Sequence, residues 1–203
     1  LYNGVDINKF FHINQTDLSS NHVFTVGCAA NFWEIKDQIT LIKAIHSMIK
    51  DGCAINLRLI GSGETKQRCV DYVSSNKLTN FIRFENECSH NKMNIFFNEI
   101  DLFVLPSYYG EGLPKILIEA AACGRPIITT DHPGCRDALI PNHSGLLVPK
   151  KDINSLVSAI NILINDKDKC SKMGKVGRQF AEKNFSIDNV IEKHLNLYLN
   201  FYN

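Results

Sequence analysis

Two glutamates stand on either side of a predicted helix start. Glu111 precedes Gly112, and Glu119 lies eight residues after Glu111, inside the run 113–123 that predicts a helix. Pro114 suits the first position of that helix, where free backbone amides attract anions such as phosphate. At ~1.5 Å of rise per residue the two glutamate backbones lie at most about 12 Å apart, and carboxylates accept hydrogen bonds from sugar hydroxyls. The spacing therefore suits a ligand with hydroxyls at both ends and a diphosphate between them, as in a nucleotide sugar. A plain strand–helix turn with a capped or paired glutamate fits the same spacing.

Four other segments contain residue types that are found in phosphate or metal sites. Lys36 follows the first predicted strand and either reaches the same phosphates as a point charge or is a solvated loop lysine. Lys115 falls in the first helical turn, where the helix dipole disfavours a cation, so it either neutralises phosphate or faces solvent. Gly61-Ser62-Gly63 permits close backbone approach but lacks the third glycine of a dinucleotide-binding fingerprint. Asp166-Lys167-Asp168 is interpreted as a solvated turn between late helices, so no metal site is expected.

The elements that must position these residues alternate along the chain. Short, continuous apolar runs are typical of strands buried on both faces of a parallel sheet, and runs with a 3–4 residue spacing of apolar side chains predict helices. Strand–helix–strand repetition then predicts one α/β domain, a Rossmann-like doubly wound parallel sheet with helices on both faces. The predicted strands are 23–29, 54–60, 81–84, 101–106, 126–130 and 145–148, and the predicted helices are 37–50, 64–75, 89–100, 113–123 and, with breaks near 166–168 and 184–186, 152–202.

In such a sheet, ligands bind beyond the carboxyl ends of the strands. The segments expected there are 31–36, 61–64, 85–89, 107–115 and 131–136, which include both glycine turns and the lysine at position 36. These loops are therefore where the sequence predicts the functional site.

Composition excludes several classes of protein. The 203 residues carry 22 Lys+Arg and 21 Asp+Glu, a net charge of +1, so no basic excess favours nucleic acid. Hydrophobic residues make up 44% of the chain, which is an ordinary globular value. Seven cysteines form an odd set without the spacing of a zinc or redox site, which indicates a reducing cytosol. The abrupt start without Met leads us to expect a piece of a longer protein.

Motifs along the whole chain, taken in order, carry a family resemblance. They resemble the C-terminal, donor-binding half of a GT-B glycosyltransferase of the large retaining family 4. The matching segments are Asn3-Gly4-Val5-Asp6 with Phe10, Ile35-Lys36-Asp37-Gln38, Ile60-Gly61-Ser62-Gly63, Asp101-Leu102-Phe103-Val104-Leu105-Pro106-Ser107, the pair Glu111 and Glu119, Gly124-Arg125-Pro126, Thr130-Asp131, Gly134-Cys135-Arg136-Asp137 and Gly145-Leu146-Leu147-Val148-Pro149.

The resemblance implies a role for each residue at the site. It implies two catalytic residues: Glu111 contacts hydroxyls of the donor sugar, and Lys36 stabilises the diphosphate as it leaves. Glu119 binds the ribose hydroxyls. The donor-binding set also includes Asn31, Gly61, Ser62, backbone near the nucleobase at Phe84 and Glu85, and the helix-start residues Gly112, Leu113, Pro114 and Lys115.

The resemblance also implies an activity. The full-length protein is expected to be a retaining hexosyl- or N-acetylhexosaminyl-type transferase that moves a sugar from a UDP- or GDP-sugar to a hydroxyl acceptor. The acceptor is expected to be a surface polysaccharide or a lipid-linked saccharide, bound by an N-terminal domain absent from this chain. Residues 1–22 are interpreted as the interdomain lead-in and 152–203 as C-terminal helices. We expect no cofactor and no metal, a fragment that is inactive alone, and a cytoplasmic protein that associates peripherally with the inner face of the membrane.

Two departures from the family pattern keep alternatives open. Asn31 stands where the family commonly has an arginine, which weakens one diphosphate contact unless another group supplies it. Pro114 removes one amide donor from the helix start. A non-catalytic module that binds nucleotide sugars is therefore a second hypothesis, and a sugar-nucleotide epimerase of the same architecture is a third.

Overall fold

Six parallel strands form a single sheet in this computed structural model. The structure describes residues 3–13, 22–109 and 112–201, and for residues 200 and 201 it describes the backbone only. The strand order is β3-β2-β1-β4-β5-β6, the doubly wound order that the sequence predicts. The strands are β1 (Phe24–Ala29), β2 (Ile55–Ile60), β3 (Ile82–Glu85), β4 (Leu102–Leu105), β5 (Ile127–Thr130) and β6 (Gly145–Val148).

Helices cover both faces of this sheet, as predicted. One apolar cluster packs the first, second and sixth helices against one face, and a second cluster packs the third and fourth helices, with Val5 and Phe10, against the other. The helices are α1 (Gln38–Lys50), α2 (Lys66–Ser75), α3 (His90–Asn98), α4 (Lys115–Ala122), α5 (Pro133–Arg136), α6 (Ile153–Ile164), α7 (Lys167–Phe185) and α8 (Ile187–Phe201). In the described part of the chain, no helix combines the length and the apolar character that a membrane span requires.

The predicted helix starts are right in place but partly wrong in detail. Pro114 is the N-cap of α4 with ψ at 117°, so the helix begins one residue later than the position that the sequence favours for proline. Ser89 occupies the N-cap of α3, but its side chain makes no capping hydrogen bond. Asp166 caps α7, since its Oδ1 accepts from the Lys169 amide at 2.9 Å. This carboxylate of the Asp-x-Asp string therefore has a structural role at a helix end.

The order of the strands changes direction between β1 and β4. The chain leaves β1 toward β2 on one side and leaves β4 toward β5 on the other, so the loops after these two strands diverge. The two strands pair over only two positions, Val26 with Leu102 and Gly27 with Phe103. Such a point opens a crevice at the carboxyl edge of the sheet, and this crevice lies between the two predicted phosphate-binding loops.

The turn after β2 holds the loop after β1 in place. The Phe32 amide donates to the Ser62 carbonyl at 2.7 Å, and the Thr65 amide donates to the Phe32 carbonyl at 2.9 Å. Gly61 has φ at +144°, and a Cβ there would lie 2.1 Å from the carbonyl oxygen of Ala30. Both the backbone angle and the close approach require glycine, so the Gly-x-Gly turn serves to bring two site loops together.

Candidate functional site

Lys36 ends a short 3-10 turn, Glu34–Lys36, that is fastened to the loop after β4. The carbonyl of Ile35 accepts from the Tyr108 amide at 3.0 Å and from the Ser107 hydroxyl at 3.1 Å. Ser107 is itself fully buried. These two bonds place Lys36 on the β4 side of the crevice, beside the loop that leads into α4.

The ammonium group of Lys36 is half-buried. Burial lowers its pKa from 10.5, and the nearby Cys135 and Cys28 thiols oppose that shift without cancelling it. The protein therefore holds a partly desolvated cation at the crevice. Such a charge is worth more to an anion that displaces the remaining water than a solvated lysine would be, because the local dielectric is lower.

The segment leading into α4 is open toward solvent. Gly112 is exposed, and a Cβ built there meets no atom within 4 Å. Leu113 is half-buried and Pro114 is buried, whereas Lys115 is exposed. The Leu117 amide bonds to the Pro114 carbonyl at 3.0 Å, so the first-turn amides that precede Leu117 are those directed out of the helix end. This end can accept an anion, with one donor fewer than usual because proline has no N–H.

Glu119 is a buried carboxylate with a partner that sequence reasoning missed. Its side chain is 7% exposed, and its Oε1 lies 2.9 Å from Nε2 of His90. His90 is the first residue of α3 and is itself 57% exposed. Because α3 and α4 are separated by β4 in the chain, no sequence spacing indicates this contact; the only available signal is that His90 directly follows the predicted site loop 85–89.

The end of β3, where the nucleobase was predicted to bind, is occupied by structural contacts. The guanidinium group of Arg58 donates two hydrogen bonds, of 2.6 and 3.1 Å, to the carboxylate of Glu85. The Glu85 side chain is therefore already engaged. Lys66, which the sequence does not single out, donates from Nζ to the carbonyls of Gly61 at 2.8 Å and Glu85 at 3.2 Å. The Ser62 hydroxyl donates to Glu87. Phe84 and Glu85 are half-exposed at this end, and Asn86 and Glu87 beyond them are exposed.

Asn31 is exposed at the mouth of the crevice, and its backbone is fixed. Its carbonyl accepts from the Gln38 side-chain amide at 3.0 Å and from the Trp33 amide at 2.8 Å. Gln38, which is 2% exposed, thereby buttresses the loop from inside. The asparagine side chain itself supplies no cation, so Lys36 carries the charge on this side.

The structure thus brings together the loops after β1, β2 and β4 and the start of α4. Glu111 and Gly110 lie outside the described residues, so the predicted sugar-binding carboxylate is not placed. No group of three or more Asp, Glu, His or Cys side chains suited to a metal ion occurs within residues 3–13, 22–109 and 112–201.

A cavity of about 670 Å³ lies at the opposite, amino-terminal edge of the sheet. Two of its cations are already engaged with backbone carbonyls. Arg125 donates to the carbonyls of Ile100 and Cys123, and Arg178 donates to three other carbonyls. Since these guanidinium groups serve the fold, the size of this cavity does not make it the site.

Comparisons with known proteins agree with the fold. The sequence model described as Glycosyl transferases group 1 matches residues 9–180. CapM of Staphylococcus aureus, named a capsular polysaccharide biosynthesis glycosyltransferase, is 27% identical over 98% of this chain and 53% of its own length. The chain spans about half the length of the curated relatives it matches.

Two solved structures share the fold over nearly all of the chain. The sucrose-phosphate synthase of Thermosynechococcus elongatus superposes with a TM-score of 0.87 at 25% identity, over 98% of this chain and 51% of its own. HepE of Anabaena, in complex with UDP and glucose, superposes with a TM-score of 0.83 at 20% identity, over 97% of this chain and 55% of its own. The family match over residues 9–180, together with the parallel sheet and its strand order, leads to one conclusion: the chain belongs to the Glycosyl transferases group 1 family, and its fold is the C-terminal half of a GT-B glycosyltransferase.

Proposed function

We propose that this chain binds the nucleotide-sugar donor of a retaining glycosyltransferase. The observation that carries the proposal is that the two strands flanking the crevice each lead to one polar group: β1 leads to a partly desolvated lysine, Lys36, and β4 leads to a buried carboxylate, Glu119 in α4. Lys36 faces the diphosphate, and Glu119 faces the ribose hydroxyls. The first turn of α4 lies between them and supplies backbone amides to the phosphates.

Transfer breaks the bond between the sugar's anomeric carbon and the diphosphate oxygen, which keeps the electron pair. It forms a bond from that carbon to an acceptor hydroxyl oxygen, whose proton passes to the departing diphosphate. Negative charge grows on the departing diphosphate, and Lys36 stabilises it there. Glu111 holds hydroxyls of the donor sugar, and a separate domain of the enzyme binds the acceptor. None of these steps requires a metal ion, since the cation at the leaving group is a side chain.

CapM is named a capsular polysaccharide biosynthesis glycosyltransferase, which supports polysaccharide synthesis as the setting of this reaction. A surface polysaccharide or a lipid-linked saccharide is accordingly the acceptor that we propose, with a hexosyl or N-acetylhexosaminyl group as the transferred sugar. HepE has the same fold and was solved with UDP and glucose, so UDP is the first nucleotide to test.

A thermal-shift panel of UDP, GDP, ADP and their sugars tests donor binding. A nucleotide that binds only the folded chain stabilises it by about 2.7 kcal/mol at 100 times its Kd. We expect one base to be clearly preferred, and we expect the shift to disappear in Glu119→Ala, whereas Lys43→Met on the exposed face of α1 keeps it. Equal shifts with all nucleotides, or none with any, would overturn the proposal.

Asn31 favours one other function, a module that binds nucleotide sugars without transferring them. Because Asn31 replaces the arginine, the diphosphate has one cation fewer beside it, and Lys36 stabilises the diphosphate leaving group without that second charge. Steady-state transfer by the full-length enzyme separates the two functions. An enzyme loses turnover in Glu111→Ala while keeping nucleotide affinity, whereas a module shows no turnover before or after that substitution.

A further inference from the structure

We propose that His90 is a positioning residue for Glu119, and that Lys9 selects the tautomer of the His90 imidazole that donates to Glu119. The inference rests on the proposed function, because it assigns Glu119 to the ribose. Its basis is a continuous contact from the segment before β1 to the buried carboxylate. Lys9 Nζ lies 3.0 Å from His90 Nδ1, and His90 Nε2 lies 2.9 Å from Glu119 Oε1.

The chemistry of these three groups determines where the imidazole proton is. A lysine ammonium has donors only, so Nδ1 of His90 must be the acceptor of its bond. The proton of the neutral ring is then on Nε2, which points at Glu119. The ring therefore donates to the carboxylate, and the neutral tautomer that does so is selected by Lys9.

Both ends of this contact are held by the surrounding fold. The ring of Phe10 packs edge-on against His90 with centroids 5.0 Å apart. The Lys9 amide donates to the side chain of Asp6 at 3.1 Å, and the Phe11 amide donates to the side chain of Asn94 on α3 at 3.1 Å. The segment that carries Lys9 is thus fastened to the same helix that begins with His90.

The consequence for Glu119 is a fixed carboxylate orientation before any ligand arrives. Its side chain is 7% exposed, so a ribose approaches it from one side only. With Oε1 bonded to His90, the carboxylate plane is set, and Oε2 is the oxygen left to accept from the ribose. Preorganisation of this kind raises affinity for a diol without adding a contact to it.

Calorimetric titration of the preferred nucleoside diphosphate tests the proposal through a matched pair of variants. Gln places its side-chain amide close to the position of the histidine Nε2, whereas Asn reaches only as far as Nδ1. We expect His90→Asn and His90→Leu to raise Kd by about tenfold, the size of one lost hydrogen bond to a charged group, and His90→Gln to stay within about twofold of the parent chain. We expect Lys9→Met to raise Kd by a smaller factor, about threefold, because the tautomer is then no longer enforced.

The ribose supplies the readout that a merely structural histidine would not move. With the 2′,3′-dideoxy nucleotide, the parent chain and His90→Leu should bind equally, since no diol is left for Glu119 to accept from. An equal loss for both nucleotides, or tighter binding by His90→Leu, overturns the inference. Either result would mean that His90 stabilises the fold or covers the ribose position.

If the parent chain binds no nucleotide, the proposed function is wrong as well. Nucleotide binding by the parent chain therefore distinguishes failure of the inference from failure of the proposed function. Thermal melts check folding, and the exposure of His90 favours folded variants.

Discussion

Replacement of Lys36 by methionine should separate ligand binding from stability, with a large effect on the affinity and a small effect on the free energy of unfolding. Burial lowers the pKa of Lys36 even though two thiols oppose the shift, so the surroundings disfavour the charge in the folded chain. Methionine has similar length and no charge to desolvate. Removal of the ammonium also removes its contacts in the folded chain, so we expect the free energy of unfolding of Lys36→Met to lie within about 1 kcal/mol of that of the parent chain.

The affinity for nucleotide should change much more than the stability. A unit charge 4 Å from a phosphate charge contributes about 4 kcal/mol at an effective dielectric constant near 20. The amides at the start of α4 share the diphosphate, so we expect about 2 kcal/mol of this to be lost, which is roughly a thirtyfold rise in the Kd of the nucleotide. Isothermal titration with UDP or the base that the panel selects measures the affinity, and urea unfolding measures the stability.

The control is Lys43→Met, which removes the same charge from the exposed face of α1. It should leave the affinity within error and, because the Lys43 ammonium lies 5.9 Å from the centre of the Tyr72 ring, lower the stability by at most about 1 kcal/mol. Nucleotide affinity in Lys36→Met equal to that of the parent chain would refute the placement of the diphosphate. A large loss of stability would refute the reasoning from burial.

In the parent chain, the folded-state pKa of Lys36 lies below the unfolded value of 10.5. The unfolded chain binds more protons between those two values, so stability rises with pH across that window, and Lys36→Met should lose this contribution.

Three further predictions concern the scaffold. Lys77, at φ +57° after α2, occupies the left-handed position that Gly52 fills after α1, so Lys77→Gly should stabilise the chain by about 1 kcal/mol in urea unfolding. Burial raises the pKa of the Cys28 and Cys123 thiols to about 12, so both should resist a thiol reagent at pH 8 in the native chain and react only on unfolding. Arg178 donates to three backbone carbonyls, so Arg178→Met should cost about 3 kcal/mol of stability.

Each of these has a clear contrary result. Gly52→Ala is the matched control for the first and should destabilise by a similar amount; a loss of stability in Lys77→Gly would contradict the argument from backbone angle. Native-state labelling of Cys28 as fast as that of the half-buried Cys53, read by peptide mass, would contradict the second. A stability change below about 0.5 kcal/mol in Arg178→Met, the range of ordinary surface substitutions, would contradict the third.

The sheet could be predicted closely because parallel strands are buried on both faces and therefore leave continuous apolar runs. The run Asp101-Leu102-Phe103-Val104-Leu105-Pro106 contains β4, and Gly145–Val148 is β6 to the residue. The sequence predicted only that ligands bind beyond the carboxyl ends of the strands, and the crevice between β1 and β4 is located by the strand order of the structure. Helix ends were less accurate. Proline's fixed φ is compatible with both the N-cap and the first helical residue, and Pro114 takes the former through its extended ψ.

The contacts that tune the candidate site could not be predicted from spacing. His90 meets Glu119 only because α3 and α4 pack side by side on one face of the sheet, and Lys66 reaches Glu85 only because β2 and β3 end together. Both are polar residues on helices whose patterns are equally consistent with a solvated face. The functional roles of Lys36 and Glu119 remain predictions that rest on their placement, burial and partners.

A crystal structure of this chain with the nucleoside diphosphate chosen by the thermal-shift panel tests the central claim most directly. We predict the ribose hydroxyls within hydrogen-bonding distance of the Glu119 carboxylate and the diphosphate between Lys36 and the first turn of α4. A nucleotide bound at the amino-terminal edge of the sheet, or one whose ribose does not contact Glu119, would contradict the account.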